Sequence, residues 1–207
     1  MPALVRVLEE ARRQGFLGPG PVEDHVRHAE GMAELLDPPD GPMLDLGSGG
    51  GIPGLVLALA WPGATGVLLD SRGRRAEFLA ESLEMLDLAD RFRAVSARAE
   101  DAARAPELRA RFALVVARGF GAPAVTAECA VGFLQLGAHL AVSEPPDPTP
   151  DNASERRWPP EPLAHLGLTP PEILKGQGTT IARLTLKEAP DQKYPRRSGI
   201  PNKRPLW

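Results

Sequence analysis

A glycine cluster directly after a short apolar segment is the feature that most constrains the fold of this chain. The segment Leu44–Gly54 reads LDLGSGGGIPG. It lies between residues 43–46, whose pattern favours a buried strand, and residues 53–61, whose apolar run favours a helix. Glycines at a strand-to-helix turn let the backbone bend sharply and approach a ligand closely. The segment therefore predicts a ligand-binding loop at the edge of an α/β sheet.

Two acidic residues support this interpretation of the glycine loop. Asp45 lies inside the first strand, where a buried carboxylate is costly unless it accepts hydrogen bonds, so we expect it to brace the loop. Asp70 ends the second strand, where its two oxygens can bind two ribose hydroxyls. A second interpretation is open, because Asp70 and Ser71 also begin a predicted helix and Asp70 could cap it.

Strands and helices alternate along the middle of the chain, which indicates βαβ units and a parallel sheet. The predicted strands are 43–46, 67–69, 93–96, 112–117 and 138–143, and the helices between them are 53–61, 72–87, 99–110 and 122–135. Two further strands, 171–175 and 179–187, are joined by a tight turn at Lys175–Gly178. The expected fold is a doubly wound, Rossmann-like α/β sheet of seven strands, mainly parallel, with a C-terminal antiparallel hairpin.

Composition shifts divide the chain into three parts. Residues 1–39 form an N-terminal helical segment, with helices at 3–14 and 22–36. Residues 40–190 form the sheet domain, in which 144–161 has almost no apolar content and is expected to be a mobile loop. Residues 191–207 form a basic, proline-rich tail, which we expect to be extended rather than helical.

Charge and cysteine content narrow the partners and the compartment. Residues 193–207 of the tail carry no acidic residue, and with a net charge of −3 for the whole chain their five basic residues leave −8 for residues 1–192. The tail could therefore bind RNA phosphates, or it could simply be solvated; the RNA-binding candidates are Lys193, Arg196, Arg197, Lys203 and Arg204. A lone cysteine, Cys129, argues against disulfides and zinc. We expect a cytoplasmic monomer without a membrane segment or a metal.

Two other positions lie where a ligand of such a sheet binds. Ala99 and Glu100 follow the third predicted strand, and Glu100 could contact a ligand or be a first-turn acid favoured by the helix dipole. Arg118 ends the fourth strand at the carboxyl edge of the sheet. It could pair with an anion of a cofactor or substrate, pair with Asp45, or lie on the surface.

These residues together resemble one family, the 16S ribosomal RNA guanine-N7 methyltransferases, also called the glucose-inhibited division protein B family. The resemblance extends from about His25 to Ser143 and returns in the tail. The matching runs are Val26–His28, Leu44–Gly54, Leu68–Leu79, Ala97–Glu100, Val116–Phe120 and Lys193–Leu206. The Gly-Ile-Pro-Gly ending and the Leu-Asp-Ser-x-x-Arg-Arg pattern are more specific than a generic glycine loop.

The resemblance implies a class I methyltransferase fold that binds S-adenosyl-L-methionine and methylates N7 of a guanine in 16S rRNA or in the small ribosomal subunit. Guanine N7 has a free lone pair and no proton, so alignment with the methyl donor can replace a catalytic base. The catalytic candidates are Arg118 and His28. The implied cofactor-binding residues are Asp45, Gly47, Gly49, Gly51, Ile52, Asp70, Ser71, Ala99, Glu100 and Arg118.

The chain also departs from the family pattern. Its N-terminal segment is short and lacks an Asn-Leu-Thr run, Gly31 stands where an aspartate is usual, and Ser143-Glu144 replaces a lysine followed by glycine. An acid there would weaken the binding of RNA phosphate. The alternatives are a cofactor-binding protein of this fold without rRNA methylation, acting as a sensor or on the ribosome, and a methyltransferase with another substrate. A nicotinamide-dependent dehydrogenase would need a stricter glycine fingerprint.

Overall fold

One seven-stranded sheet organises the protein, in a computed structural model that describes residues 2–145 and 154–207. The strands are β1 (Met43–Leu46), β2 (Gly66–Asp70), β3 (Phe92–Ser96), β4 (Phe112–Ala117), β5 (Leu134–Ser143), β6 (Glu172–Gly176) and β7 (Thr179–Thr185). They lie in the order β3-β2-β1-β4-β5-β7-β6, in which β1 to β5 pair in parallel and β7 runs antiparallel to both β5 and β6. The predicted fold class is confirmed.

The helices connect these strands and flank the sheet. They are α1 (Pro2–Arg13), α2 (Val22–Leu35), α3 (Gly54–Ala60), α4 (Gly73–Met85), α5 (Ala99–Ala102), α6 (Pro123–Val131), α7 (Ser154–Arg157), α8 (Pro160–His165) and α9 (Ile200–Lys203). Helices α1 to α4 bury their apolar stripes on one face of the sheet, whereas α5, α6, α8 and the tail cover the other. Each fully buried large aliphatic side chain contributes about 1.5–3 kcal/mol.

Two predicted helices are shorter than their sequence patterns indicate. The helix predicted over 99–110 ends at Ala102, and Pro106 follows, which has no backbone N–H for a helix and restricts the residue before it. The helix predicted over 122–135 ends at Val131, and β5 begins at Leu134 rather than at residue 138. Pairing of Leu134 with Phe112 of β4 overrides the helical pattern there.

The C-terminal tail packs against the face that α5 and α6 occupy. Tyr194 and Pro201 are buried, and α9 forms one helical turn. The prediction of a wholly extended tail is therefore wrong for Ile200–Lys203. Proline is compatible with the first turn of a helix, where its missing N–H needs no partner.

The segment predicted to be a mobile loop, 144–161, lies partly outside the described residues, at 146–153. In its described flanks, Glu144 and Trp158 are buried, and the chain enters α7 and α8. Mobility of this segment stays a prediction. Within residues 2–145 and 154–207, no helix is long and apolar enough to cross a membrane.

Candidate cofactor cleft

Two neighbouring cavities open at the carboxyl edge of the parallel strands, where doubly wound sheets bind their ligands. The first, of about 240 Å³, is lined by the ends of β1 and β2, including Asp70, and by the turn after β3 with the start of α5, including Glu100. The second, of about 420 Å³, is lined by the glycine loop after β1, by Arg118 and by the turn 16–19 between α1 and α2. Both cavities share Gly47, Arg75 and Gly119, so we treat them as one cleft.

Glycine is required in the loop after β1 because the backbone there leaves no space for a side chain. Gly47 has a φ of 76°, and a Cβ at that position would lie 2.6 Å from the ring of Phe120. Gly51 has a φ of 97°, and a Cβ there would lie 2.4 Å from Leu55. The loop therefore forms the floor of the cleft with bare backbone, as the sequence predicts for a ligand-binding loop.

Asp45 acts on the cleft from behind the loop and lines neither cavity. Its side chain is only 1% exposed, and its Oδ2 accepts the Gly54 N–H at 3.0 Å at the start of α3. Its Oδ1 has no hydrogen-bond partner in the described part of the chain. Burial raises the pKa of Asp45 to about 7, while hydrogen bonds from Ser48 and Gly54 oppose the shift. The structure thus places Asp45 as a brace, as expected, but out of reach of a ligand in the cleft.

Because the pKa of Asp45 is raised, ionisation of its buried carboxylate lowers the free energy of unfolding. We expect Asp45→Asn to remove this pH-dependent loss. The folded state binds the proton more tightly than the unfolded state, so stability falls as pH rises from about 4 through 7. One pKa unit corresponds to about 1.4 kcal/mol. We expect Asp45→Asn to gain roughly 2–4 kcal/mol relative to the parent between pH 4.5 and pH 8, measured by urea unfolding. Asp87→Asn, at an exposed position, is the control, and equal pH slopes for the parent and Asp45→Asn would contradict the prediction.

Asp70 joins the glycine loop to the start of α4 and lines the first cavity. Its Oδ2 accepts the Gly49 N–H at 3.0 Å, and its Oδ1 accepts the Arg72 N–H at 2.9 Å. Each oxygen keeps a further lone pair for a ligand hydroxyl. Asp70 therefore closes the turn before α4 and also faces the cleft, and its binding of ribose hydroxyls stays a prediction. Ser71 lines the same cavity.

Ala99 and Glu100 line the first cavity beyond Asp70, at the end of β3. Glu100 is buried, and its Oε1 accepts the backbone N–H of Gly199 at 2.7 Å. Arg98 lies 3.4 Å from the same oxygen. The carboxylate is therefore held by the C-terminal tail and is more than a first-turn acid of α5. The sequence pattern could not predict the contact between Glu100 and Gly199, because the two residues are 99 positions apart in the chain.

Arg118 projects from the end of β4 into the second cavity, and its partner is His25 of α2. Its Nη2 donates to His25 Nδ1 at 2.8 Å, and the expected pairing with Asp45 is not seen among the described ion pairs. Burial lowers the pKa of Arg118 from its ordinary value. His25 was not among the candidate residues from the sequence, and the only signal for it was its position one helical turn before His28.

His28, the histidine expected to act in catalysis, lines neither cavity. Its Nε2 lies 2.8 Å from Ser143 Oγ at the end of β5, and its backbone oxygen accepts a hydrogen bond from Thr179. Burial lowers the pKa of His28, and the nearby charge of Arg118 lowers it further. His28 therefore packs α2 against β5 and β7 while lying in the electrostatic range of Arg118.

The structure accounts for two departures from the family pattern. A Cβ at Gly31 would lie 2.4 Å from Thr179 Oγ1, so the close packing of α2 on β7 leaves no space for an aspartate there. The Glu144 carboxylate accepts hydrogen bonds from Arg157 Nε at 2.7 Å and from Trp158 Nε1 at 3.1 Å. Because Arg157 pairs with this acid, the expected repulsion of RNA phosphate loses its physical basis.

The basic residues of the tail have different environments. Arg196 bonds Glu128 of α6 through Nε at 2.8 Å and Nη2 at 2.6 Å, and Glu128 is 0% exposed. The guanidinium of Arg196 therefore has a structural role, whereas its role as an RNA contact stays a prediction. The side chains of the other four candidates reach solvent: Lys193, which pairs with Asp191, and Arg197, Lys203 and Arg204.

Comparison with known proteins agrees with this cleft. The family described as GidB, rRNA small subunit methyltransferase G, matches residues 22–142. A Thermotoga sp. (strain RQ2) protein named Ribosomal RNA small subunit methyltransferase G is 36% identical over 183 residues, covering 88% of this chain and 79% of the relative. A Streptococcus gordonii protein of the same name is 32% identical over 178 residues, covering 83% and 73%.

A solved structure shows the same fold at low sequence identity. Cofactor-bound Rv0187 from MTB superimposes with a TM-score of 0.60 at 20% identity, covering 91% of each chain. The sheet order, the antiparallel hairpin and the glycine-floored cleft are those of the class I methyltransferase fold, and the matches to methyltransferases G show that the chain is an S-adenosylmethionine-dependent methyltransferase. Within that class, the chain belongs to the GidB family.

Proposed function

We propose that this protein methylates N7 of a guanine in the 16S rRNA of the small ribosomal subunit, with S-adenosyl-L-methionine as the methyl donor. The observation that carries the proposal is membership of the GidB family in a chain whose cofactor cleft is complete. Asp70, Glu100 and Arg118 face this cleft from three different strand ends. Their chemistry matches the three polar parts of the cofactor.

The polar groups of the cleft follow the sheet edge in the same order as the parts of the cofactor that they would bind. Asp70 offers two carboxylate oxygens to the ribose hydroxyls, and Ala99 and Glu100 lie where the adenine would be held. Arg118 and the loop residues Gly47, Gly49 and Ile52 lie at the methionine end. When bound, the cofactor supplies an electrophilic methyl group on a sulfonium sulfur.

The residues of this chain then contribute to the reaction mainly by positioning the cofactor and the guanine. Guanine N7 carries no proton, so no side chain has to act as a base, and alignment of the two reacting atoms accounts for much of the rate enhancement. The glycine loop fixes the cofactor end from below, and the turn 16–19 forms the opposite wall of the cavity. Together they limit access of water to the methyl group.

Exposed arginines around the first cavity support an RNA substrate. Arg72 and Arg98 line its rim, and Arg74 is exposed one residue into α4. We also assign the RNA-facing role to the tail residues whose side chains reach solvent: Lys193, Arg197, Lys203 and Arg204. Such cations attract phosphate with a strength that falls as the salt concentration rises.

The test is transfer of labelled methyl from S-adenosylmethionine to small ribosomal subunits and to their naked rRNA, both from a strain that lacks this gene. Nucleoside mass spectrometry of the product is expected to show 7-methylguanosine. No transfer to either substrate, with cofactor binding intact, would overturn the proposal. That result would favour the second candidate, a cofactor-binding protein of this family that does not methylate rRNA, for which Ser143 in place of the usual lysine is the supporting observation.

We further propose that the protein acts as a monomer in the cytoplasm, where ribosomal subunits are assembled. Residues 40–190 would form the catalytic domain, and residues 1–39 would complete it, since the turn 16–19 lines the cleft. The tail 191–207 would both close the fold and meet RNA, because Arg196 pairs with the buried Glu128 whereas its other cations are exposed.

A further inference from the structure

The guanidinium of Arg118 is held by an imidazole rather than by a carboxylate. Its Nη2 lies 2.8 Å from His25 Nδ1. Among the described residues, no acid forms an ion pair with Arg118, although Arg75, which lines the same cavity, has Asp70 as its carboxylate partner. The positive charge of Arg118 therefore faces the second cavity uncompensated.

The hydrogen bonds of His25 define its tautomer. Arginine has only donors, so His25 Nδ1 must accept and carries no proton. The other ring nitrogen, Nε2, lies 3.1 Å from the backbone oxygen of Gly18 and must donate to it. His25 is 7% exposed and is the neutral Nε2–H form in this arrangement. A protonated ring would lose the bond to Arg118 and repel it.

The same imidazole attaches the turn 16–19 to the wall of the cleft. Gly18 accepts from His25, while the Phe16 ring packs edge-on against Phe78 at 5.6 Å and beneath the guanidinium of Arg75. A Cβ at Gly49 would lie 3.2 Å from the Phe16 backbone oxygen, so the turn lies directly against the glycine loop. His25 thus sets the distance between Arg118 and this wall.

A neutral hydrogen-bond acceptor at position 25 leaves the positive charge of Arg118 in place, whereas an acidic acceptor does not. A carboxylate at position 25 would hold Arg118 equally well but would cancel its charge. We propose that His25 is a positioning residue that aims Arg118 at the methionine end of the cleft without neutralising it, so that Arg118 binds the cofactor carboxylate. The proposal rests on cofactor binding and is independent of the RNA substrate.

Equilibrium binding to His25 variants tests this role, with S-adenosylmethionine and 5′-methylthioadenosine as the two ligands. The second ligand has no amino-acid part and therefore no carboxylate. His25→Leu removes the acceptor, His25→Gln keeps a neutral acceptor and a donor, and His25→Glu keeps an acceptor but adds a negative charge. Calorimetry gives the dissociation constants, and thermal unfolding monitors the fold of each variant.

We expect His25→Leu and His25→Glu to weaken S-adenosylmethionine binding about tenfold or more, which is the scale of one charge-assisted hydrogen bond. Binding of 5′-methylthioadenosine should change less than threefold, and His25→Gln should stay within threefold of the parent for both ligands. Parent-like S-adenosylmethionine affinity in a folded His25→Glu would overturn the proposal. Equal losses for both ligands would also overturn it, because they indicate a merely structural role.

A second readout does not depend on any variant that could fail to fold. The ¹⁵N chemical shifts of the imidazole rings distinguish the Nε2–H tautomer from the Nδ1–H tautomer and from the protonated ring. With four histidines in the chain, the signals can be assigned by single replacement. The Nε2–H tautomer at His25 is the expected result at neutral pH. A protonated ring or the Nδ1–H tautomer would overturn the proposal, because neither form can accept from Arg118.

Discussion

Replacement of Asp70 by alanine is expected to weaken S-adenosylmethionine binding by at least about 100-fold. The carboxylate accepts from Gly49 N–H and Arg72 N–H, and it faces the first cavity. Alanine leaves both backbone donors without their acceptor and removes the partner for the ribose hydroxyls. Hydrogen bonds to a charged group contribute about 1.5–3 kcal/mol each, and two of them account for a loss of this size. Calorimetric titration measures the dissociation constant.

Two further variants control this measurement. Asp70→Asn keeps an acceptor but lacks the charge, so an intermediate loss is expected. Asp101→Ala removes an exposed acid of α5 that lines neither cavity, and it should bind the cofactor as the parent does. Retention of affinity within threefold in Asp70→Ala would show that Asp70 only closes the turn before α4.

Arg196→Met is expected to destabilise the fold by about 3–5 kcal/mol. Glu128 is completely buried in α6, and Arg196 compensates its charge with hydrogen bonds from Nε, Nη2 and the backbone N–H. Removing the guanidinium leaves a buried carboxylate with one remaining hydrogen bond. Removal of a single partner of a buried ion pair is strongly destabilising because the other charge stays uncompensated. Urea unfolding at neutral pH measures the loss.

The double variant Glu128→Leu/Arg196→Met separates charge from packing. Because no uncompensated charge remains, most of the lost stability should return. Arg197→Met, at the neighbouring exposed position, should change stability by less than about 0.5 kcal/mol while weakening RNA binding. A loss in Arg197→Met as large as that in Arg196→Met would contradict the assignment of a structural role to Arg196 and a surface role to Arg197.

Much of the cofactor cleft could be predicted from the sequence because the residues that form it are close together in the chain. The glycine loop, the brace Asp45 and the acid Asp70 each belong to a strand end and the turn that follows it. Alternating strand and helix patterns bring such ends to one edge of a parallel sheet. The loop geometry at Gly47 and the two backbone bonds of Asp70 follow directly from this arrangement.

Side-chain pairing between residues far apart in the chain could not be predicted from the sequence in the same way. The sequence leaves Arg118 to meet a ligand anion, to pair with Asp45 or to lie on the surface, yet it bonds His25, 93 residues earlier. Arg196 was assigned to RNA from its charge alone, yet it pairs with Glu128, 68 residues away. Charge marks a residue as able to pair, but it does not identify the partner.

The sequence by itself determined the sheet class, the ligand edge and the residues that build its loops, because hydrophobic periodicity and glycine act through neighbouring positions. Only the tertiary structure decided which histidine faces the cleft, which tail arginine pairs with a buried acid and that the tail reaches Glu100. Those outcomes depend on how α2, α6 and the tail dock on the sheet, and docking is set by the packing of both apolar layers. The neutral partner of Arg118 is therefore a property of the fold rather than of any motif.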